Sequence, residues 1–174
     1  MNEYWKAHGL GNDYLVLDCL PSEQNNKLEP VRVQKVCDRH RGLGSDGILE
    51  PRLSERADVG VCIWNPDGSI AEKSGNGLRI FAWWWVMHRN QGKPLVPFTV
   101  DTGTDIVSCV VDPERGWVDV EMGRARFEPS KIPTTETVWG RTIVLDEDVL
   151  TVYAMGIGNP HCVVFVNEVD AFDS

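Results

Sequence analysis

The sequence predicts an α+β fold in which an antiparallel sheet wraps around one central, buried helix. Three observations predict it. Short runs rich in Val, Ile and aromatic residues recur at spacings near ten, separated by Gly, Pro, Asp or Asn. That rhythm suits hairpins and meanders better than βαβ units. The run Ile80-Phe81-Ala82-Trp83-Trp84-Trp85-Val86-Met87 lies in a helical stretch and has no polar face. A helix apolar on every side must be enclosed. Asn65-Pro66-Asp67-Gly68 follows a strand with Pro second and Gly fourth, the pattern of a type I turn.

Taken in order, strands are expected at Tyr14–Asp18, Ile48–Leu53, Val59–Trp64, Phe98–Asp101, Ile106–Asp112, Trp117–Glu121, Thr142–Leu145, Val152–Ala154 and Cys162–Val166. A first helix is expected over Glu29–Arg39. A second starts near Gly75 and runs to about Asn90, where Gly92 and Pro94 end it. Composition turns loop-like around Pro129–Trp139, with a boundary between Met122 and Pro133. The sequence therefore divides into a first unit, 1–122, and a second, 123–174. A chain of 174 residues has room for one domain and part of another.

Composition removes several classes of function. The longest apolar run, Ile80–Met87, is far too short to cross a bilayer. The opening MNEYWKAHGLGND has no basic stretch followed by an apolar one, so a cytoplasmic location is expected. A net charge of −9 without a basic tract argues against nucleic acid as a partner. Cys19, Cys37, Cys62, Cys109 and Cys162 are scattered, odd in number and free of any CxxC pair. They read as buried apolar thiols rather than a disulfide framework or zinc ribbon. Cys37 and His40 are separated by two residues, and His8 and His88 stand alone. A metal centre wants three or four ligands at workable spacing, so none is expected.

Gly42-Leu43-Gly44-Ser45-Asp46-Gly47 matches GxGxxG. A dinucleotide site needs a strand before that motif and a helix after it. Here a helix-like stretch precedes and Ile48–Leu53 follows, so a tight glycine loop is the better account. Ser74-Gly75-Asn76-Gly77-Leu78-Arg79 carries more information. It joins a polar loop to the apolar helix, which puts Ser74 at or next to the N-cap. Bare amides and the helix dipole there could hold a carboxylate. Serine is also a favoured cap, and Gly-Asn-Gly can simply turn a chain. Both readings stand for the segment alone. Three further polar loops, His8–Asp13, Trp64–Ser69 and Gly158–His161, each flank an apolar strand and bring an asparagine. Four such loops together suggest a site that grips an amino acid.

These segments resemble a known family. Lys6–Asp18, KAHGLGNDYLVLD, resembles the opening signature of diaminopimelate epimerases, and Arg41–Gly47 their next glycine loop. Asn65–Arg79, NPDGSIAEKSGNGLR, is similar to their first active-site motif, and Met155–Val166, MGIGNPHCVVFV, to a further signature. The resemblance implies two similar halves, each an antiparallel sheet around a central helix, with the substrate between them. It implies interconversion of LL- and meso-2,6-diaminopimelate on the route to lysine and peptidoglycan, with no cofactor and no metal. One cysteine removes the α-proton as thiolate, and a second, on the other half, returns one as thiol. Carried over by position, Asn12, Asn65, Gly75, Asn76 and Asn159 bind substrate, Ser74 stands where the first cysteine belongs, and His161 influences protonation. A homodimer is a further implication.

The chain departs from the family twice. Serine is a far weaker acid than cysteine, so Ser74 keeps the cap and the volume while removing ready thiolate chemistry. The later family motifs, Glu-Arg before a second helix and a Cys-Gly-Ser-Gly-like loop, are absent. The expectation is an epimerase chain impaired by Ser74 and by an incomplete second half. Two other readings stay open: a hydroxyproline-type dehydratase or epimerase relative, and a non-catalytic amino-acid-binding fragment.

Overall fold

The computed structural model describes residues 3–18, 28–89, 97–145 and 148–168. The expected helix end at Asn90, Gly92 and Pro94, and Cys19, fall outside them. The chain forms two compact units, Met1–Met122 and Gly123–Ser174.

The first unit is a curled sheet of eight strands with two helices. Its strands are β1 (Tyr4–Gly9), β2 (Asn12–Leu17), β3 (Ile48–Arg52), β4 (Val59–Trp64), β5 (Ile70–Ala71), β6 (Phe98–Asp101), β7 (Ile106–Asp112) and β8 (Trp117–Val120). The order is β1-β2-β3-β4-β6-β7-β8, with β5 added beside β4. The helices are α1 (Pro30–Cys37) and α2 (Gly75–Trp84), the latter continued by a π-helical turn, Trp85–Arg89. α2 touches β1 and β2 at one end of the strand order and β7 and β8 at the other, so the sheet curls about it.

Side-chain alternation divides the core into two layers. Tyr14 and Val16 of β2, Leu49 of β3, and Val59, Val61 and Ile63 of β4 pack with Leu78, Phe81 and Ala82 of α2. The alternate residues, Leu15, Leu17, Ile48 and Trp64, pack with Val33 and Cys37 of α1. Strand β2 is covered on both faces, which is why Tyr-Leu-Val-Leu runs apolar without interruption. Glu50 shares the α1 layer and is completely buried. It accepts hydrogen bonds from Arg52 at 2.5 Å and from the Trp64 indole at 2.8 Å.

Four expectations need correction. The sheet is mixed: β2 pairs with β3, and β4 with β6, in parallel. Each parallel step is a long crossover carrying a helix, α1 in the first and α2 in the second, as parallel neighbours require. Strand β1 was not expected. Four of its six residues are exposed, so it carries no apolar alternation to read. The short strand β5 was likewise not expected. Enclosure of the second helix is partial: Leu78, Phe81, Ala82, Trp84 and Val86 are buried, Trp83 and Trp85 half-buried, and Met87 exposed.

The second unit is a three-stranded antiparallel sheet in the order β11-β10-β9, with β9 (Trp139–Leu145), β10 (Asp148–Gly156) and β11 (Pro160–Val164). A single 3-10 turn, Pro129–Lys131, precedes it. Phe127, Trp139, Tyr153 and Phe165 stack edge to face at centroid distances of 5.2, 5.1 and 5.4 Å. No helix among the described residues is long and apolar enough to cross a membrane.

Candidate active site

The N-terminus of α2 organises the site in the first unit. Ser74 is the N-cap, in extended conformation, and its Oγ accepts the Gly77 N–H at 3.0 Å. Its carbonyl accepts the Leu78 N–H at 2.8 Å. A helix leaves its first N–H groups without internal partners. Two of them, on Gly75 and Asn76, have no hydrogen-bond partner among the described residues. A Cβ built on Gly75 would meet the Met122 thioether at 3.8 Å and the Arg79 guanidinium at 3.9 Å, ordinary packing distances.

The β1–β2 hairpin brings the second group. Leu10 and Gly11 both take left-handed backbone, φ 56° and 87°, the type I′ turn that suits a two-residue hairpin. For leucine this conformation costs about 1 kcal/mol. The turn delivers Asn12 to α2, where Asn76 Nδ2 donates to Asn12 Oδ1 at 3.3 Å. Asn12 Nδ2 donates to Asp46 at 3.0 Å, and Arg79 donates to Asn76 Oδ1. The two carboxamides are therefore tied into a chain from Asp46 to Arg79. Each NH₂ group uses one hydrogen in that chain and keeps a second. A cavity of about 340 Å³ shares Gly9 and Arg79 with this cluster and is also lined by His8 and Trp83.

Arg39 braces the hairpin from outside by binding Asp13 at 2.6 Å and Asp46 at 2.7 Å. The Arg39 hydrogen bond, aided by Lys6, holds the Asp13 carboxyl well below the usual carboxylate range. A depressed folded-state pKa gives stability that is present above the unfolded value, about 4, and lost as pH falls through the folded one. Asp13→Asn should therefore lower the urea midpoint at pH 7 and flatten its decline below pH 4, measured across a pH series.

Of the other expected residues, Asn65 hydrogen-bonds within its own turn, and Asn159 and His161 belong to the second unit. Asn65 spends its side-chain amide on Ser69 Oγ at 2.9 Å, inside the turn closed by Gly68 N–H to Asn65 C=O at 3.0 Å. In the second unit, His161 Nε2 lies 3.0 Å from Asn159 Oδ1. His161 also lines a cavity of about 670 Å³ with Ile132, Val138, Val152 and Ala154.

Tyr14 was missed by sequence reasoning. Its ring is buried and its hydroxyl donates to Ser74 Oγ at 3.1 Å. The signal was available in principle: in β2, every second residue from Tyr14 faces α2. Lys73, next to the serine, is buried and turned to Asp105 at 2.7 Å and the Met122 carbonyl at 3.2 Å. Burial pushes the Cys109 thiol up to about 12 and raises that of Cys37. Neither buried thiol is a ready base.

The GxGxxG loop wraps the end of α1. The N–H groups of residues 42–46 all bond to backbone carbonyls. A Cβ on Gly42 would sit 2.2 Å from the Lys35 carbonyl. This loop caps a helix, and five of its six amides are already spent on backbone carbonyls. Among the described residues no three His, Cys, Asp or Glu side chains group as metal ligands do.

Comparisons of sequence point to one family. The family model described as Diaminopimelate epimerase matches residues 4–128. The chain is 41% identical over 174 residues to Diaminopimelate epimerase 2 of Nostoc sp., covering 97% of this chain and 59% of that protein. It is 37% identical over 172 residues to the diaminopimelate epimerase of Pelotomaculum thermopropionicum, covering 97% and 61%. The Archaeoglobus fulgidus enzyme of the same name is also 37% identical, with 96% and 59% covered. The chain thus spans about three-fifths of the length of these relatives. In fold it is similar to a hydroxyproline epimerase from Agrobacterium vitis, at a TM-score of 0.66 and 14% identity, covering 94% of this chain and 51% of that one. It is also similar to a Bacillus anthracis phenazine biosynthesis protein of the PhzF family, at 0.59 and 16%, covering 96% and 55%. With a family model matched over most of its length, the chain belongs to the diaminopimelate epimerase family.

Proposed function

We propose that the chain is part of a cofactor-independent isomerase that interconverts LL- and meso-2,6-diaminopimelate, a cytoplasmic step toward lysine and peptidoglycan precursors. The observation that carries this reading is the pair of amides at Gly75 and Asn76, left without helical partners beside the N-cap Ser74. They receive the substrate's α-carboxylate, aided by the helix dipole. The spare hydrogens of Asn12 and Asn76 extend the same grip. As the α-proton leaves, charge flows onto that carboxylate, and fixed donors at a helix end stabilise it without a cofactor's electron sink.

Asn65, Asn159 and His161 complete the reading as substrate-binding and protonation-tuning groups, and a homodimer is part of it. Ser74 takes the place of the thiol on its face of the substrate. The weak acidity of a hydroxyl makes proton exchange there slow.

The test is deuterium incorporation at the α-carbon of LL-diaminopimelate in deuterated water. It compares the 174-residue chain, the same chain joined to the remaining part of the Nostoc relative, and Ser74→Cys in that fusion. Exchange that is slow with serine and at least tenfold faster with cysteine is expected. Absence of exchange in all three, with folded protein, would sink the proposal.

A further inference from the structure

On the epimerase reading, the γ-atom of residue 74 exchanges a proton with the substrate's α-carbon. When it gives one up, the Oγ–H bond breaks, the hydrogen joins carbon, and the electron pair stays on Oγ. Serine is usable only where that oxyanion is stabilised.

The surroundings of Ser74 Oγ provide for it. The Tyr14 hydroxyl donates to this oxygen at 3.1 Å and the Gly77 N–H donates at 3.0 Å. A hydroxyl oxygen has two lone pairs and one hydrogen. Both lone pairs are engaged, so the hydrogen is left for the half-exposed side of the residue. An N-cap needs only the donor from the third helical residue, which Gly77 supplies. Tyr14 lies in the α2 core layer at 6% exposure, where phenylalanine would fill the same volume. The phenolic hydroxyl is surplus to capping and to packing.

We infer that Tyr14 is a positioning residue of the site, forming with the Gly77 N–H a two-donor pocket for negative charge on the γ-atom of residue 74. The pocket orients the Ser74 hydrogen outward and lowers the cost of removing it. Hydrogen bonds to charged acceptors are stronger than those to neutral ones, so the gain appears when charge forms.

The test needs no substrate, so its failure is separable from failure of the epimerase reading, which isotope exchange decides. Ser74→Cys places a titratable γ-atom in the pocket. The pH dependence of its alkylation by iodoacetamide is read by peptide mass spectrometry at position 74 alone. Adding Tyr14→Phe should raise the alkylation midpoint by about one pH unit, a tenfold loss of thiolate near neutral pH. Replacing Tyr14 with 3-fluorotyrosine, a stronger donor, should lower it. A midpoint unmoved by either replacement would overturn the inference. Were the phenylalanine variant to misfold, the fluorotyrosine arm decides alone: a lower midpoint supports the pocket and an unchanged one overturns it.

Discussion

Phe81→Ala should destabilise the first unit by about 4 kcal/mol, the usual cost of emptying a buried aromatic site. Phe81 is completely buried at the centre of the layer between α2 and the sheet. Its ring lies 5.7 Å from that of Trp84. The loss therefore combines transfer of the ring to water with a cavity that a curled sheet cannot readily close. Urea unfolding followed by tryptophan fluorescence would show a lower midpoint at unchanged slope. A shift of less than about 1 kcal/mol would mean that α2 is loosely packed. The consequence reaches function, because the same helix presents Ser74, Gly75 and Asn76.

Arg52→Ala is the second large effect, about 3 kcal/mol. Glu50 has no exposed surface, and one of its oxygens, Oε1, has no hydrogen-bond partner among the described residues. Removing the guanidinium leaves a buried carboxylate with only the Trp64 indole to answer it. The penalty comes from stranding a charge, so it should vanish when the charge goes too. Replacing Glu50 and Arg52 together by leucine should restore the midpoint to near that of the parent chain. A double variant as unstable as Arg52→Ala would instead assign the loss to packing by the arginine stem. Hydrogen exchange in β3 and β4 would locate either effect, since the pair sits on β3 and Glu50 accepts from Trp64 of β4.

How much of this was legible in the sequence differs by element. Strands β3, β4, β6 and β7 stand out because each has a buried face and turn residues at its ends. The start of α2 is readable because Ser-Gly-Asn-Gly precedes an apolar run, and a cap followed by bare backbone has few other uses. Strand β1 was invisible, since Trp5, Lys6, Ala7 and His8 all lie exposed and leave no alternation. The parallel pairings were also hidden, because they join segments separated by whole helices and depend on how the sheet closes around α2. In the site, Asn12 and Asn76 could be picked out as residue types in polar loops. Their bond to each other, and the placing of Tyr14 over Ser74, follow from register between β2 and α2, which no local pattern encodes. The family resemblance suggested the roles of Ser74, Asn65, Asn159 and His161, while the hydrogen bonds supplied the reason to look at Tyr14.

The backbone amides at the start of α2 can be watched directly. In a ¹⁵N-labelled sample titrated with diaminopimelate, the Gly75 and Asn76 N–H signals should move farthest and saturate together, as expected for donors closing on a carboxylate. Ligand-dependent shifts elsewhere with these two unmoved would contradict the account.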